Sequence, residues 1–287
     1  MPRFVIVTPV LNGAEYIPAT LDSVRAQTDG DWVHYLVDGG STDGTLDILA
    51  QAVEEDPRRR IVTGEDRGLF DAWFKGFERA YADGITDPET ICVWLGSDDL
   101  IMPWAFATLR QYFDQPGVEW VSALPCIWDA EGRLTIVQPF NWCPRRLIRA
   151  GLFNNRNIGS LQMESIFFTR RLLSKLSPDV LESIRTKKLA GDFQLWREFA
   201  RHAELVPVMT AVAGFRLHGA NLSSVQKDAY LREVKEAGGR LLPAPVGRVL
   251  RVSFRLLTLI KTEKRFRQAW RQIGGAGAEP PQSKLDR

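Results

Sequence analysis

The chain has 287 residues, 45% of them hydrophobic and 25% charged, which excludes wholesale disorder and provides for one large core or two smaller ones. A net charge of +2 argues for no particular partner, and no nucleic acid is expected among them. Cys92, Cys126 and Cys143 are odd in number and widely spaced, which gives neither a disulfide framework nor a zinc pattern and makes a reducing cytoplasm the simplest compartment.

In chain order, MPRFVIVTPV is too short and too soon broken by Pro9 to be a signal peptide, and Phe4 to Val7 reads as a strand. Tyr16 to Ala26 then carries apolar residues at helical spacing. The pattern repeats. WVHYLVDGGS is a strand ending in a turn, Thr42 to Val53 an amphipathic helix, RRRIVTGE a strand, and Gly68 to Tyr81 a helix. ICVWLGSDDL follows as a fourth strand, with a helix starting near Pro103. This alternation predicts an α/β fold with a Rossmann-like, mostly parallel sheet and helices on both faces. Beyond residue 118 the rhythm loosens: EWVSALPCIW and RLTIVQPF read as strands, Leu189 to Arg201 as helix and Leu205 to Phe215 as strand. Residues 247 to 272 form a basic amphipathic helical stretch, and 274 to 287 a flexible tail. No stretch reaches the roughly 18 apolar residues of a spanning helix.

Ligands of such sheets sit beyond the carboxyl ends of the strands, and here those ends are polar. Thr8 and Asn12 follow the first, Asp38 with Gly39-Gly40-Ser41 the second, Glu65-Asp66-Arg67-Gly68 the third and Asp98-Asp99 the fourth. Adjacent carboxylates repel, so the doublet is placed to meet something positive, and carboxylate oxygens suit Mg²⁺ or Mn²⁺ shared with a phosphate. Side chains alternate along extended chain, which predicts Asp99 as the metal ligand and Asp98 turned to a ribose hydroxyl or a group behind the ion. The same doublet also suits a cap for the helix near Pro103. Asp38, ending an apolar strand before a glycine-rich turn, suits a nucleobase N–H, although an ordinary strand-to-helix turn reads the same way. Asp192 in AGDFQLW stands at a helix start, where an N-cap is the ordinary reading.

The segments TPVLNGAEYI, VDGGSTDGT, EDRGLFDAWFKG and WLGSDDL, in that order, resemble the family 2 glycosyltransferases, inverting enzymes with the GT-A fold. The resemblance covers residues 4 to 110 and continues more thinly to about 223 through LQMESIFFTRRLL, LAGDFQLWREFA and FRLHGANLS. It implies that Thr8, Pro9 and Asn12 lie along a nucleotide, that Asp38 contacts its base, and that Asp66, Arg67 and Lys75 flank ribose and diphosphate. Ser97-Asp98-Asp99 matches the DXD-type motif, with Ser at its first position. Asp192 matches the catalytic base, with Gly191 where members often carry Glu. Glu164 falls on the acceptor side, and His218 near the diphosphate or metal.

The implied activity is a metal-dependent, inverting transfer from a UDP, GDP or dTDP sugar to a hydroxyl of a glycan or lipid-linked acceptor, with Mn²⁺ or Mg²⁺, in bacterial surface-polysaccharide assembly. The implied organisation is a nucleotide-sugar-binding half over 1–117, an acceptor and catalytic-base half over 118–225, a basic amphipathic extension over 226–273 and a tail over 274–287. Peripheral contact with anionic membrane at the cytoplasmic face would suit the extension, which could equally pack on the protein. The alternative is a non-catalytic sugar-nucleotide-binding or scaffold protein on the same fold, which would need no base. Trp73, Trp94 and Trp142 are candidates for shaping the donor pocket.

Overall fold

The run FVIVTPV is buried at every position, the signature of a strand covered on both faces, and it forms the centre of the molecule as β1 (Phe4–Val10). A computed structural model describes residues 3–138, 143–219, 221 and 226–258. After β1 come α1 (Ile17–Arg25), β2 (Trp32–Asp38), α2 (Thr45–Glu55), β3 (Arg59–Thr63), α3 (Leu69–Ala82) and β4 (Ile91–Trp94). Then follow β5 (Leu100–Ile101), α4 (Ala105–Phe113), β6 (Trp120–Ser122), β7 (Cys126–Trp128), β8 (Leu134–Val137) and α5 (Arg145–Arg149). A 3₁₀ turn (Met163–Ser165) leads into β9 (Ile166–Thr169), α6 (Arg170–Leu173), α7 (Pro178–Arg185), α8 (Gly191–His202), β10 (Val206–Pro207) and β11 (Ala213–Arg216). Two more helices, Lys227–Glu236 and 244–258, complete the described chain.

The main sheet has the order β10-β6-β9-β4-β1-β2-β3, and a smaller one the order β5-β11-β7-β8. β1 pairs in parallel with β2 and β4, and β2 with β3, so the four polar strand ends do share one edge. Period-2 alternation sorts β1 between two cores: Val5 and Val7 join the side chains of α3 and α8 on one face, while Phe4 and Ile6 join those of α4 on the other. A Cβ on Gly76 would collide with the Val7 side chain, so α3 lies against β1 closer than any other residue would permit. Trp73 and Trp94 stack at 3.6 Å inside this core, fully buried, which corrects their reading as donor-pocket residues. Trp142 lies outside the described residues.

Three elements differ from the sequence reading. EWVSALPCIW is not one strand: the chain changes sheets at Leu124-Pro125, where proline has no N–H to continue a ladder, so β6 and β7 belong to different sheets. Leu205 to Phe215 divides likewise into β10 and β11. The third difference is β9, four buried residues that enter antiparallel between β4 and β6. An apolar run that short carries no period by which to recognise it.

The extension packs on the second half of the sheet domain. Val234 and Tyr230 of the helix Lys227–Glu236 cluster with Ala190 and Phe193. On the helix 244–258, Phe254 meets Phe153 edge-on at 5.6 Å, and the Arg251 guanidinium donates to the carbonyls of Asn155 and Arg156 at 2.6 Å each. The opposite side exposes Val246, Val249, Val252, Leu256 and Leu257. The stretch expected over 259–273 and the tail over 274–287 lie outside the described residues.

Candidate active site

On the donor side, the loops after β1 and β2 are tied to one another. Asn12 adopts the left-handed conformation (φ 51°), donates its backbone N–H to Ser41 Oγ at 2.8 Å and accepts the Thr42 N–H on its side-chain oxygen at 2.8 Å. Gly13 donates to Thr45 Oγ1 at 2.9 Å and Ala14 to Asp43 at 3.0 Å. These bonds answer each other's backbone groups and fix the rim of the cleft. Asp38 is buried; one oxygen accepts from Gly40 and Ser41 at 2.9 and 3.1 Å, and the other, Oδ1, is buried with no hydrogen-bond partner. An unpaired acceptor of that kind is costly unless a ligand donates to it.

Pro9 is buried in β1. The Thr8 hydroxyl lies 2.8 Å from His34 Nε2, both residues fully buried, with burial holding His34 down to about 3 and therefore neutral. That bond turns the Thr8 side chain into the sheet layer, so only its backbone faces the strand end. Asp66 accepts the Gly68 N–H at 2.8 Å and presses its other oxygen against Gly39, where a Cβ would come within 2.7 Å of it. Arg67 forks between Asp71, at 3.1 Å, and Glu182 of α7, at 2.5 Å, while Lys75 pairs with Asp71 at 3.3 Å. Burial alone would raise Asp71, but hydrogen bonds from Arg67, Arg185 and Lys75 outweigh it and hold that carboxyl well below its usual range.

The doublet follows a turn, not extended chain: Asp99 N–H bonds Gly96 O at 3.2 Å, and the Thr20 hydroxyl lies within 2.9 Å of the carbonyls of Ser97 and Asp99. A Cβ on Gly96 would collide with the Asp99 carboxylate and come within 2.9 Å of that of Asp98. Asp99 is 2% exposed, turned inward, with Oδ1 accepting the Arg216 N–H at 3.0 Å. Asp98 keeps its side chain 30% exposed and bonds His218 Nε2 at 2.8 Å. Asp98, with His218, is therefore the more exposed carboxylate of the pair and Asp99 the inward one. Neither caps the helix beyond it, since α4 has no side-chain cap.

His218 is fixed from two sides. Its ring stacks on Tyr16 at 4.5 Å, and Asn221 Nδ2 lies 3.0 Å from its Nε2. The Arg216 guanidinium sits 5.1 Å over the same Tyr16 ring, buried, with Nε and one terminal nitrogen lacking partners. Arg216, Asn221 and Tyr16 were missed from the sequence; FRLHGANLS contains two of them, but only its histidine stands out by residue type.

Glu164, in the 3₁₀ turn before β9, connects the two sides. Burial raises its carboxyl, and the charges of Asp98 and Asp192 raise it further. Asp99 is raised well above its ordinary value by burial, then by Glu164 and Asp98. At the far side Asp192 occupies the first turn of α8 without capping it, because the cap position is Ala190 and makes no side-chain bond. Its Oδ1 is buried and unpartnered, and burial, aided by Glu233, pushes it up to about 7. Gly191 is explained by packing: a Cβ there would stand 2.6 Å from atoms of the Phe70 ring, so no side chain fits.

No three His, Cys, Asp or Glu side chains among the described residues form a group able to hold a metal ion by themselves. A divalent cation of the Mg²⁺ or Mn²⁺ kind does not require one, since it characteristically takes one or two protein carboxylates and completes its shell with phosphate oxygens and water. Asp98 beside His218, backed by buried carboxylates that repel one another, fits a cation shared in this way.

The Glycosyl transferase family 2 model matches residues 5–165. Relatives include a PGL/p-HBAD biosynthesis glycosyltransferase of Mycobacterium bovis, 41% identical over 99 residues (34% of this chain and 36% of that protein). The putative teichuronic acid biosynthesis glycosyltransferase TuaG of Bacillus subtilis is 40% identical over 80 residues, 28% of this chain and 32% of its own. The aligned stretches thus span about a third of those relatives' length. Among solved structures, TarS 1–349 of S. aureus in complex with UDP-GlcNAc superposes with a TM-score of 0.62 at 15% identity, covering 88% of this chain and 71% of that one. The mannosyltransferase PcManGT of Pyrobaculum calidifontis, in complex with GDP-Man and Mn²⁺, gives 0.58 at 18% identity, covering 98% and 77%. The architecture is that of the GT-A glycosyltransferases, and with a match over more than half of its length the chain belongs to glycosyl transferase family 2.

Proposed function

We propose that the chain transfers a sugar from a nucleotide-diphosphate donor to an acceptor hydroxyl, with inversion at the anomeric carbon. The observation that carries this is Asp192: a half-buried carboxylate with one buried, unpartnered oxygen, pushed up to about 7, reached from the Asp98–His218 pair through Glu164. A scaffold or sugar-nucleotide binder has no use for so unfavourable a group, whereas a base working near neutral pH needs one.

In the reaction, the acceptor oxygen attacks the anomeric carbon and its proton passes to the Asp192 carboxylate. The bond to the diphosphate oxygen breaks on the opposite side and its electron pair leaves with the nucleoside diphosphate. Asp38 receives a base N–H on its free oxygen, and Asp66 lies beside it across Gly39. Asp98 and His218 would hold Mn²⁺ or Mg²⁺, which supplies positive charge to the leaving diphosphate. Glu164 lines the acceptor side next to Asp192.

The test is a thermal-shift panel of UDP, GDP, dTDP and CMP sugars with and without Mn²⁺. A metal-dependent rise with one base is expected, abolished in Asp98→Asn, and a flat response to every donor would refute the reading.

For the acceptor, the helix 244–258 supports a lipid-linked one. It docks by one side and turns Val246, Val249, Val252, Leu256 and Leu257 to solvent, near Arg248 and Arg255. An apolar face of this kind with adjacent cations suits an anionic membrane surface. No helix among the described residues is long and apolar enough to cross one. Flotation with anionic vesicles at low salt should carry the protein upward; sedimentation with the vesicle-free fraction would leave a soluble glycan as the acceptor.

A further inference from the structure

Helix α8 carries Asp192, but its own sequence does not secure its start. The cap position, Ala190, has no acceptor side chain, and it is preceded by a loop whose three consecutive backbone N–H groups, of Lys188, Leu189 and Ala190, need acceptors from elsewhere. All three are taken by one carboxylate from a distant element. Glu233 Oε1 accepts from Lys188 at 3.0 Å, and Oε2 from Leu189 and Ala190 at 2.9 Å each. Successive N–H groups of this kind form an anion-binding concavity, and an ionised acceptor makes the bonds strong.

The same helix adds further ties. Glu236 pairs with Lys187 at 3.0 Å, and Val234 and Tyr230 pack on Ala190 and Phe193, the residues on either side of Gly191-Asp192. From the other direction, Lys188 Nζ donates to Arg67 O, so the loop is also tied to the segment after β3. Three groups bear on Asp192 electrostatically: Glu164 from the 3₁₀ turn, and Glu233 and Tyr230 from the helix Lys227–Glu236.

We propose that Glu233 is a positioning residue for the Asp192 carboxylate, gripping the loop before α8 so that a helix beyond the family match sets where the base stands. The proposal rests on Asp192 being the base, and its grip on the loop can be tested without that assumption. Glu233→Gln keeps the size but lets only one oxygen accept, and it removes a negative charge facing Asp192.

Hydrogen exchange of amides 188–190 should accelerate at least ~10-fold in Glu233→Gln relative to the rest of α8. Turnover is followed as nucleoside diphosphate release from the donor that stabilises the protein. It should fall ~10–100-fold through kcat at unchanged donor KM, since a base displaced by about 1 Å costs that order. Losing a negative neighbour lowers a carboxylate's pKa, so the acid limb of kcat should move to lower pH. Glu233→Asp, which keeps the charge, should leave the limb in place and restore part of kcat.

Unchanged exchange at 188–190, or a loss of kcat with the pH profile unmoved, would overturn the proposal. If Glu233→Gln fails in this way while Asp192→Asn is inactive, the positioning role alone is wrong; if Asp192→Asn is fully active, the base assignment is wrong.

Discussion

The loops after β1 and β2 and the carboxylates Asp99, Glu164 and Asp192 are built on opposite principles. Around Asn12, Asp43 and Ser41, polar groups answer one another at ordinary hydrogen-bond distances, and the loops hold their shape without help. Around Asp99, Glu164 and Asp192, burial and neighbouring carboxylates raise every carboxyl, and Asp192 has an oxygen with no partner at all. The contrast separates scaffold from chemistry: satisfied groups position, and unsatisfied ones await a substrate.

The comparison is broken most sharply by Asp192→Asn, which should cost ~10²–10⁴ in kcat while leaving donor binding intact, as a positioned base contributes that much. Steady-state turnover beside donor calorimetry checks it. Next, Asp98→Asn should weaken metal-dependent donor binding at least ~10-fold, about 1.4 kcal/mol, whereas Asp99→Asn, whose amide oxygen can still accept from Arg216, should change it far less; equal or larger losses at Asp99 would make it the ligand, as the sequence reading expects. Gly191→Ala should cost ~1–3 kcal/mol by forcing a methyl into Phe70, read as a lower Tm and partly relieved by Phe70→Leu. Thr8→Val should cost about 1 kcal/mol by leaving His34 unpaired, with donor affinity unmoved.

The smallest effect concerns pH. Asp192 has a folded-state value of about 7, above its ordinary 3.8, so the folded state favours its protonated form and this group's contribution to stability declines as pH rises from about 4 through 7. Asp71 is held low, so what it contributes is present above its ordinary value and lost on acidification below it. Urea midpoints at pH 5.5 and 7.5 should therefore differ less in Asp192→Asn than in the wild type.

The sheet's first half was legible because uniform burial writes β1, β2 and β4 as mostly apolar runs and because polar residues cluster where those runs end. The inventory of carboxylates was legible for the same reason. Their orientation was not: alternation holds in extended chain, and the turn closed by Asp99 on Gly96 removes that premise. Glu233 was invisible because its partners are backbone N–H groups, which leave no mark on residue type, and Arg216 because a buried guanidinium over the Tyr16 ring is a fact of three dimensions.

β9 has a consequence for how the molecule comes into being. It fills the gap between β4 and β6, yet it is made long after β4 and immediately after the turn bearing Glu164. A ribosome-bound chain that has not yet emerged past Thr169 holds the edges of β4 and β6 unjoined, and the strand that joins them brings the turn bearing Glu164 with it. Joining the two halves of the sheet and placing Glu164 are thus one step in biosynthesis, and the nascent protein is exposed to mispairing until it occurs.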